Sequence, residues 1–123
     1  MLLAGDETMI RETLAMSLEE IGYGVTVAAD GQEAIDIIAS GVPIDVVVAD
    51  LSMPGIDGLA VIERARCHRP DLPAILLTGY AGHGAQLAVG GSLNGAFTLV
   101  RKPVNAAQLA DRIEAILAVT LTG

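Results

Sequence analysis

The chain has 123 residues, a single cysteine and a formal charge of −8 at pH 7. That length can bury a proper core without staples, while the lone Cys67 rules out an internal disulfide and no Cys/His cluster has zinc-ligand spacing. The acidic balance argues against direct nucleic-acid binding, which needs clustered Lys and Arg to neutralise phosphates. Mean hydropathy is high at +0.55, yet acids or glycines interrupt every apolar run. The longest uncharged segment, Leu72 to Val100, holds a proline, His83 and many glycines, which makes a poor membrane span. The start, MLLAGDET, lacks the basic lead of a signal peptide. The expectation is one soluble cytoplasmic domain over residues 1–123, with no nucleic acid and no membrane among its partners.

In chain order, Leu2-Leu3-Ala4 reads as a first strand that runs into Gly5-Asp6-Glu7. From Thr8 to Ile21 the apolar positions Ile10, Leu14, Leu18 and Ile21 recur at helical spacing, and Gly22-Tyr23-Gly24 stops the helix. Val25 to Ala28 is a second strand. Asp30-Gly31-Gln32-Glu33 is a capping-box pattern that opens a helix burying Ala34, Ile35 and Ile38 and ending near Ser40-Gly41. Ile44 to Ala49 is the central strand, and from Val46 on it is a continuous apolar run that stops at the carboxylate of Asp50, the mark of a strand buried on both faces. A turn from Pro54 to Gly58 follows, then a helix with Leu59, Ile62 and Ala65 inside, closed by Arg69-Pro70.

Pro73 to Thr78 is a fourth strand. The glycine-rich stretch from Gly79 to Gly95 carries no charged residue, and a helix is expected over part of Gly84 to Val89. Phe97 to Arg101 is a fifth strand that leads to Lys102-Pro103. Asn105 with Gln108 resembles a second capping box, before a helix with an apolar stripe of Leu109, Ile113, Ile116 and Leu117. Strand and helix alternate five times. The pattern predicts an α/β fold: a doubly wound, five-stranded parallel sheet with helices on both faces.

In such a sheet the carboxyl ends of all strands share one edge, where open α/β sheets bind ligands. Asp6 with Glu7, Asp50, Thr78 and Lys102 therefore converge although far apart in sequence. Two or three carboxylates on one rim repel each other unless a hard cation such as Mg²⁺ joins them. A hydroxyl and an ammonium beside them can hold the remaining oxygens of a phosphoryl group.

The sequence resembles the receiver domain of two-component response regulators over essentially its whole length. The most specific part is Asp50-x-x-Met53-Pro54-x-x-Asp57-Gly58, similar to the family's phosphorylation-site strand and loop. Leu76-Leu77-Thr78-Gly79 resembles the switch-threonine strand, and Lys102-Pro103 resembles the family's lysine followed by a cis proline. The resemblance implies the flavodoxin-like strand order 2-1-3-4-5. It implies that Asp50 accepts a phosphoryl group from a phosphohistidine on a sensor histidine kinase or a histidine phosphotransfer domain. It further implies that Asp6, Asp50 and the backbone carbonyl of Ser52 ligate Mg²⁺, with Glu7 as a candidate fourth partner. Lys102, Thr78 and the Gly79 backbone N–H would bind phosphoryl oxygens. Such a chain is a phosphoryl acceptor rather than an enzyme with a separate substrate, and its output is expected to run through contacts with a downstream protein.

Two positions depart from the family pattern. Gly5 stands where a second acid commonly acts on the metal through water, so weakened Mg²⁺ affinity is expected. Leu99 stands where the family usually has its switch aromatic, which puts the usual threonine–aromatic coupling in doubt; Tyr80 and Phe97 are the nearby aromatics. Two other readings compete. A pseudo-receiver, binding proteins without phosphate, is favoured by Gly5 and opposed by Asp6, Asp50, Thr78 and Lys102. A flavodoxin-like cofactor binder would need a phosphate-cradling loop after the first strand, and Asp6-Glu7 would repel that phosphate.

Overall fold

The computed structural model describes residues 1–51, 53, 55–69, 71–78, 97–101 and 104–122, the side chains of 97 and 119–122 excepted. The elements in chain order are β1 (Leu2–Ala4), α1 (Thr8–Ile21), β2 (Thr26–Ala28), α2 (Gly31–Ala39), β3 (Val47–Asp50), α3 (Gly58–His68), β4 (Ala74–Thr78), β5 (Phe97–Arg101) and α4 (Ala106–Thr122). The five strands form one sheet in the order β2-β1-β3-β4-β5, all pairs parallel. The expected helix within 84–89 lies outside the described residues.

Strand side chains alternate between the two faces of the sheet, and the core divides accordingly. Leu2, Ala4, Val47, Ala49, Ala74 and Leu76 pack with α2 and α3 through Ala34, Ile38, Val61, Ile62 and Ala65. Leu3, Val46, Val48, Ile75, Leu77 and Val100 pack with α1 and α4 through Leu14, Leu18, Leu109, Ile113 and Ile116. Both faces of the central strands are dry, which is why those strands read as unbroken apolar runs rather than as alternating ones.

Local signals fix the helix starts. Asp30 accepts from the Glu33 N–H at 2.8 Å, and the Glu33 carboxylate reaches back to the Ala29 N–H at 3.0 Å, one residue before the cap. Asn105 and Gln108 form the reciprocal pair, at 2.8 and 3.0 Å. In α1 the buried positions are Leu14, Ala15 and Leu18, whereas Ile10 and Ile21 are about half exposed at 46% and 50%. The spacing of the apolar residues is helical, but the ends of α1 overhang the sheet. Among the described residues no helix is long and apolar enough to cross a membrane.

Candidate functional site

Among the described residues only two polar side chains are buried: Asp50, 7% exposed, and Thr78, 3% exposed. Each is the last residue of its strand, β3 and β4, and the strands are neighbours in the sheet. Burying a carboxylate and a hydroxyl is costly unless their hydrogen-bonding capacity is used, so two at one edge of an otherwise apolar sheet mark a place built for polar chemistry. Asp50 belongs to β3 itself, one residue beyond the apolar run, and is held by the sheet ladder rather than by a loop.

The loop after β3 is shaped around the Asp50 backbone. The Leu51 N–H continues the ladder to the Leu77 carbonyl at 2.8 Å, and the Leu51 carbonyl accepts from the Gly58 N–H at 3.2 Å. Asp57 caps α3, its carboxylate accepting from the Ala60 N–H at 2.9 Å. A Cβ at Gly58 would collide with the Asp50 carbonyl and lie 2.8 Å from Leu76 Cδ1. Gly55 turns the chain at φ +78°, a conformation that glycine adopts without steric cost. Met53 is buried against the α2–α3 side of the core. The spacing from Asp50 to Asp57-Gly58 thus has a packing cause: it brings α3 hard against the strand that carries the acid.

On the other side of Asp50, the Gly5 N–H donates to the Ala28 carbonyl at 3.1 Å and carries the chain one residue past β1. Asp6 and Glu7 follow, both exposed. Glu7 is the N-cap of α1 by backbone geometry, yet its side chain makes no capping hydrogen bond. One carboxylate oxygen from each of Asp6, Glu7 and Asp50 lies within 4.8 Å of the others. Three hard oxygen donors this close suit a divalent cation of the Mg²⁺ type. The Arg11 guanidinium donates through Nη1 to the Gly5 carbonyl at 2.7 Å.

Of the residues singled out in the sequence, the structure brings Asp6, Glu7 and Asp50 together and sets Thr78 on the adjacent strand end. Ser52, Gly79, Tyr80 and Lys102 lie outside the described residues, as do Pro54 and Pro103. Leu99 is half-buried, pairs in register with Leu76 and packs at the margin of the α2–α3 side. Arg11 carries no signal in the sequence, and the Asp57-Gly58 pair, though part of the motif noted there, reveals neither the cap nor the close approach that it makes. The Asp-Gly pair marks a turn, but not what the turn packs against.

An acidic crevice at the carboxyl edge of a 2-1-3-4-5 parallel sheet is the layout of a signalling receiver, and comparison with known proteins agrees. The response regulator receiver domain family matches residues 1–114 of this chain, and the chain belongs to that family. It is 40% identical over 116 residues to the response regulator MprA of Mycolicibacterium vanbaalenii, covering 94% of this chain and 49% of that protein. The chain spans about half the length of the curated relatives it matches.

Among solved structures, a CheY-like receiver domain protein from Methanospirillum hungatei superposes with a TM-score of 0.85. It is 28% identical, and the match covers 98% of this chain and 94% of that one. The response regulator TrrA of Thermotoga maritima, solved in complex with Mg²⁺-BeF, gives a TM-score of 0.78 at 34% identity, over 94% and 96% of the two chains. Family members work in two-component signalling, where response regulators partner with sensor histidine kinases.

Proposed function

We propose that residues 1–123 act as a phosphoacceptor, taking a phosphoryl group onto Asp50 from a phosphohistidine of a sensor kinase or phosphotransfer domain. The observation that carries this reading is the buried pair Asp50 and Thr78 at adjacent strand ends, with the Asp6 and Glu7 carboxylates gathered beside the acid. A carboxylate oxygen of Asp50 attacks phosphorus, the P–N bond to the imidazole breaks, and its electron pair stays on the imidazole nitrogen, which is then free to take up a proton. The product is an aspartyl phosphate.

In this reading Asp6, Asp50 and the Ser52 carbonyl would hold Mg²⁺, with Glu7 available as a further oxygen donor. When bound, the cation offsets the negative charge of the carboxylates and of the phosphoryl oxygens. Thr78 donates its hydroxyl to one phosphoryl oxygen, the Gly79 N–H to another, and Lys102 neutralises a third. The ladder bond at Leu51 and the Gly58 contact hold Asp50 in place, so the nucleophile needs little reorganisation before attack. The signal leaves through contacts with a downstream protein.

The test is incubation of the chain with acetyl phosphate and Mg²⁺, followed by intact mass. A gain of one phosphoryl group that disappears in Asp50→Ala supports the assignment; no gain in the wild-type chain sinks it. That second outcome would favour a phosphate-independent binding module, the reading that Gly5 motivates.

A further inference from the structure

The rim holds a cation that the chemistry above leaves unused. Arg11 lies in the first turn of α1, half-buried, tethered by Nη1 to the Gly5 carbonyl. Its Nε is buried and has no hydrogen-bond partner among the described residues. A buried guanidinium N–H is costly to leave without an acceptor. Gly5, Glu7, Arg11 and Asp50 line one cavity of about 390 Å³, whose wall is otherwise apolar among the described residues, with Leu3, Leu14 and Leu77 among its members.

Gly5 accounts for the opening between them. Leu3 faces the α1–α4 side, so by strand alternation position 5 faces it too, as does Asp50 in series with Val46 and Val48. A Cβ at Gly5 would meet nothing within 4 Å, and the backbone there is not left-handed. Neither space nor conformation demands glycine. Its consequence is electrostatic: an acid at position 5 would pair with Arg11, and without one the guanidinium is left beside the cavity that Asp50 also lines.

Building on the phosphoacceptor reading, we propose that Arg11 is a phosphoryl-binding residue, its guanidinium donating to an oxygen of the group carried on Asp50. A planar guanidinium suits phosphate oxygens better than a point charge does. The role differs between the two states of the site. Before phosphorylation Arg11 opposes a bound cation by like charge; afterwards it adds a donor and a positive charge.

The experiment uses the full chain as wild type, Arg11→Gln, Arg11→Lys and Gly5→Asp/Arg11→Gln against Gly5→Asp. Calorimetry measures Mg²⁺ alone binding to the unphosphorylated protein, and ¹⁹F NMR measures beryllofluoride, a phosphoryl mimic, at fixed Mg²⁺. The expected result is beryllofluoride binding weakened on the order of tenfold in Arg11→Gln, as for loss of one charge-assisted hydrogen bond, with Mg²⁺ binding unchanged or tighter. Arg11→Lys should fall between. In the Gly5→Asp background, where the new acid engages Arg11, the same Arg11→Gln change should move beryllofluoride affinity less than about twofold. Equal weakening of Mg²⁺ and beryllofluoride would reduce Arg11 to a clamp on the Gly5 loop, and an unchanged beryllofluoride affinity would also overturn the proposal. A wild-type chain that binds no beryllofluoride and takes no phosphoryl group removes the phosphoacceptor reading itself, and this inference with it.

Discussion

The two chain segments that flank Asp50, the loop after β1 and the start of α3, each contain a glycine close to the acid, and the two glycines mean different things. After β3, Gly58 is imposed by geometry, because any Cβ would run into the Asp50 carbonyl and Leu76. After β1, Gly5 is open on its side-chain face and has no left-handed backbone to justify it. One is the residue that packing requires. The other changes the charge of the site at no steric cost. A glycine in a motif therefore says little until its missing Cβ is placed.

The comparison makes predictions of opposite sign for the same substitution. Gly58→Ala should destabilise the fold by about 3 kcal/mol, as for overpacking against rigid backbone; urea denaturation checks this, and a loss below about 0.5 kcal/mol would mean that α3 slides to make room. Gly5→Asp should tighten Mg²⁺ binding on the order of tenfold, about 1.4 kcal/mol, by offsetting the Arg11 charge and adding a negative charge beside the oxygen cluster. Calorimetry reads that change, and wild-type binding already at micromolar strength would remove its premise. Asp57→Ala should cost about 1 kcal/mol through loss of the α3 cap, seen as a lower denaturation midpoint with an unchanged slope. Gly5→Ala should leave stability equal or raise it by about 0.5 kcal/mol, since it only restricts the unfolded chain; a clear loss would show that the β1 loop is tighter than its geometry indicates.

The smallest effect lies at the far end of α1. Burial raises the Tyr23 phenol above its ordinary value, with Glu114 and then Asp111 of α4 adding to the rise. The folded chain therefore keeps this proton after the unfolded chain has begun to release it. Tyr23's contribution to stability is fully present below about pH 10 and declines as pH rises past that point. Tyr23→Phe should flatten that part of the decline in denaturation curves taken across the alkaline range; an unaltered decline would assign it to other groups.

Much of this was legible in the sequence because it depends on local rules. Apolar runs that stop at Asp50 and Thr78 are recognisable as buried strands ending at a working edge, and the Asn105–Gln108 pair announces its helix. Tertiary reach was harder to read. Ile10 and Ile21 share the spacing of Leu14 and Leu18, but α1 is roughly 21 Å long while the three-residue strand beside it spans about 10 Å. Only the middle of the helix can meet the sheet. Nothing in the sequence singles out Arg11, which the fold ties to the Gly5 carbonyl, and the need for Gly58 becomes visible only once β3 lies beside it.

The loop after Asp50 also supplies a spectroscopic handle. The chain has no tryptophan and four methionines, of which Met53 is buried three residues beyond Asp50 while Met9 and Met16 stand out in solvent at 82% and 63% exposure. Isotope labelling of the methionine methyl groups would therefore yield a reporter within the α2–α3 side of the core, three residues from the acid, with two internal references on the outer surface of α1. Loading of Asp50 would then be visible as a displaced Met53 resonance against stationary Met9 and Met16 signals, with no dye or engineered probe.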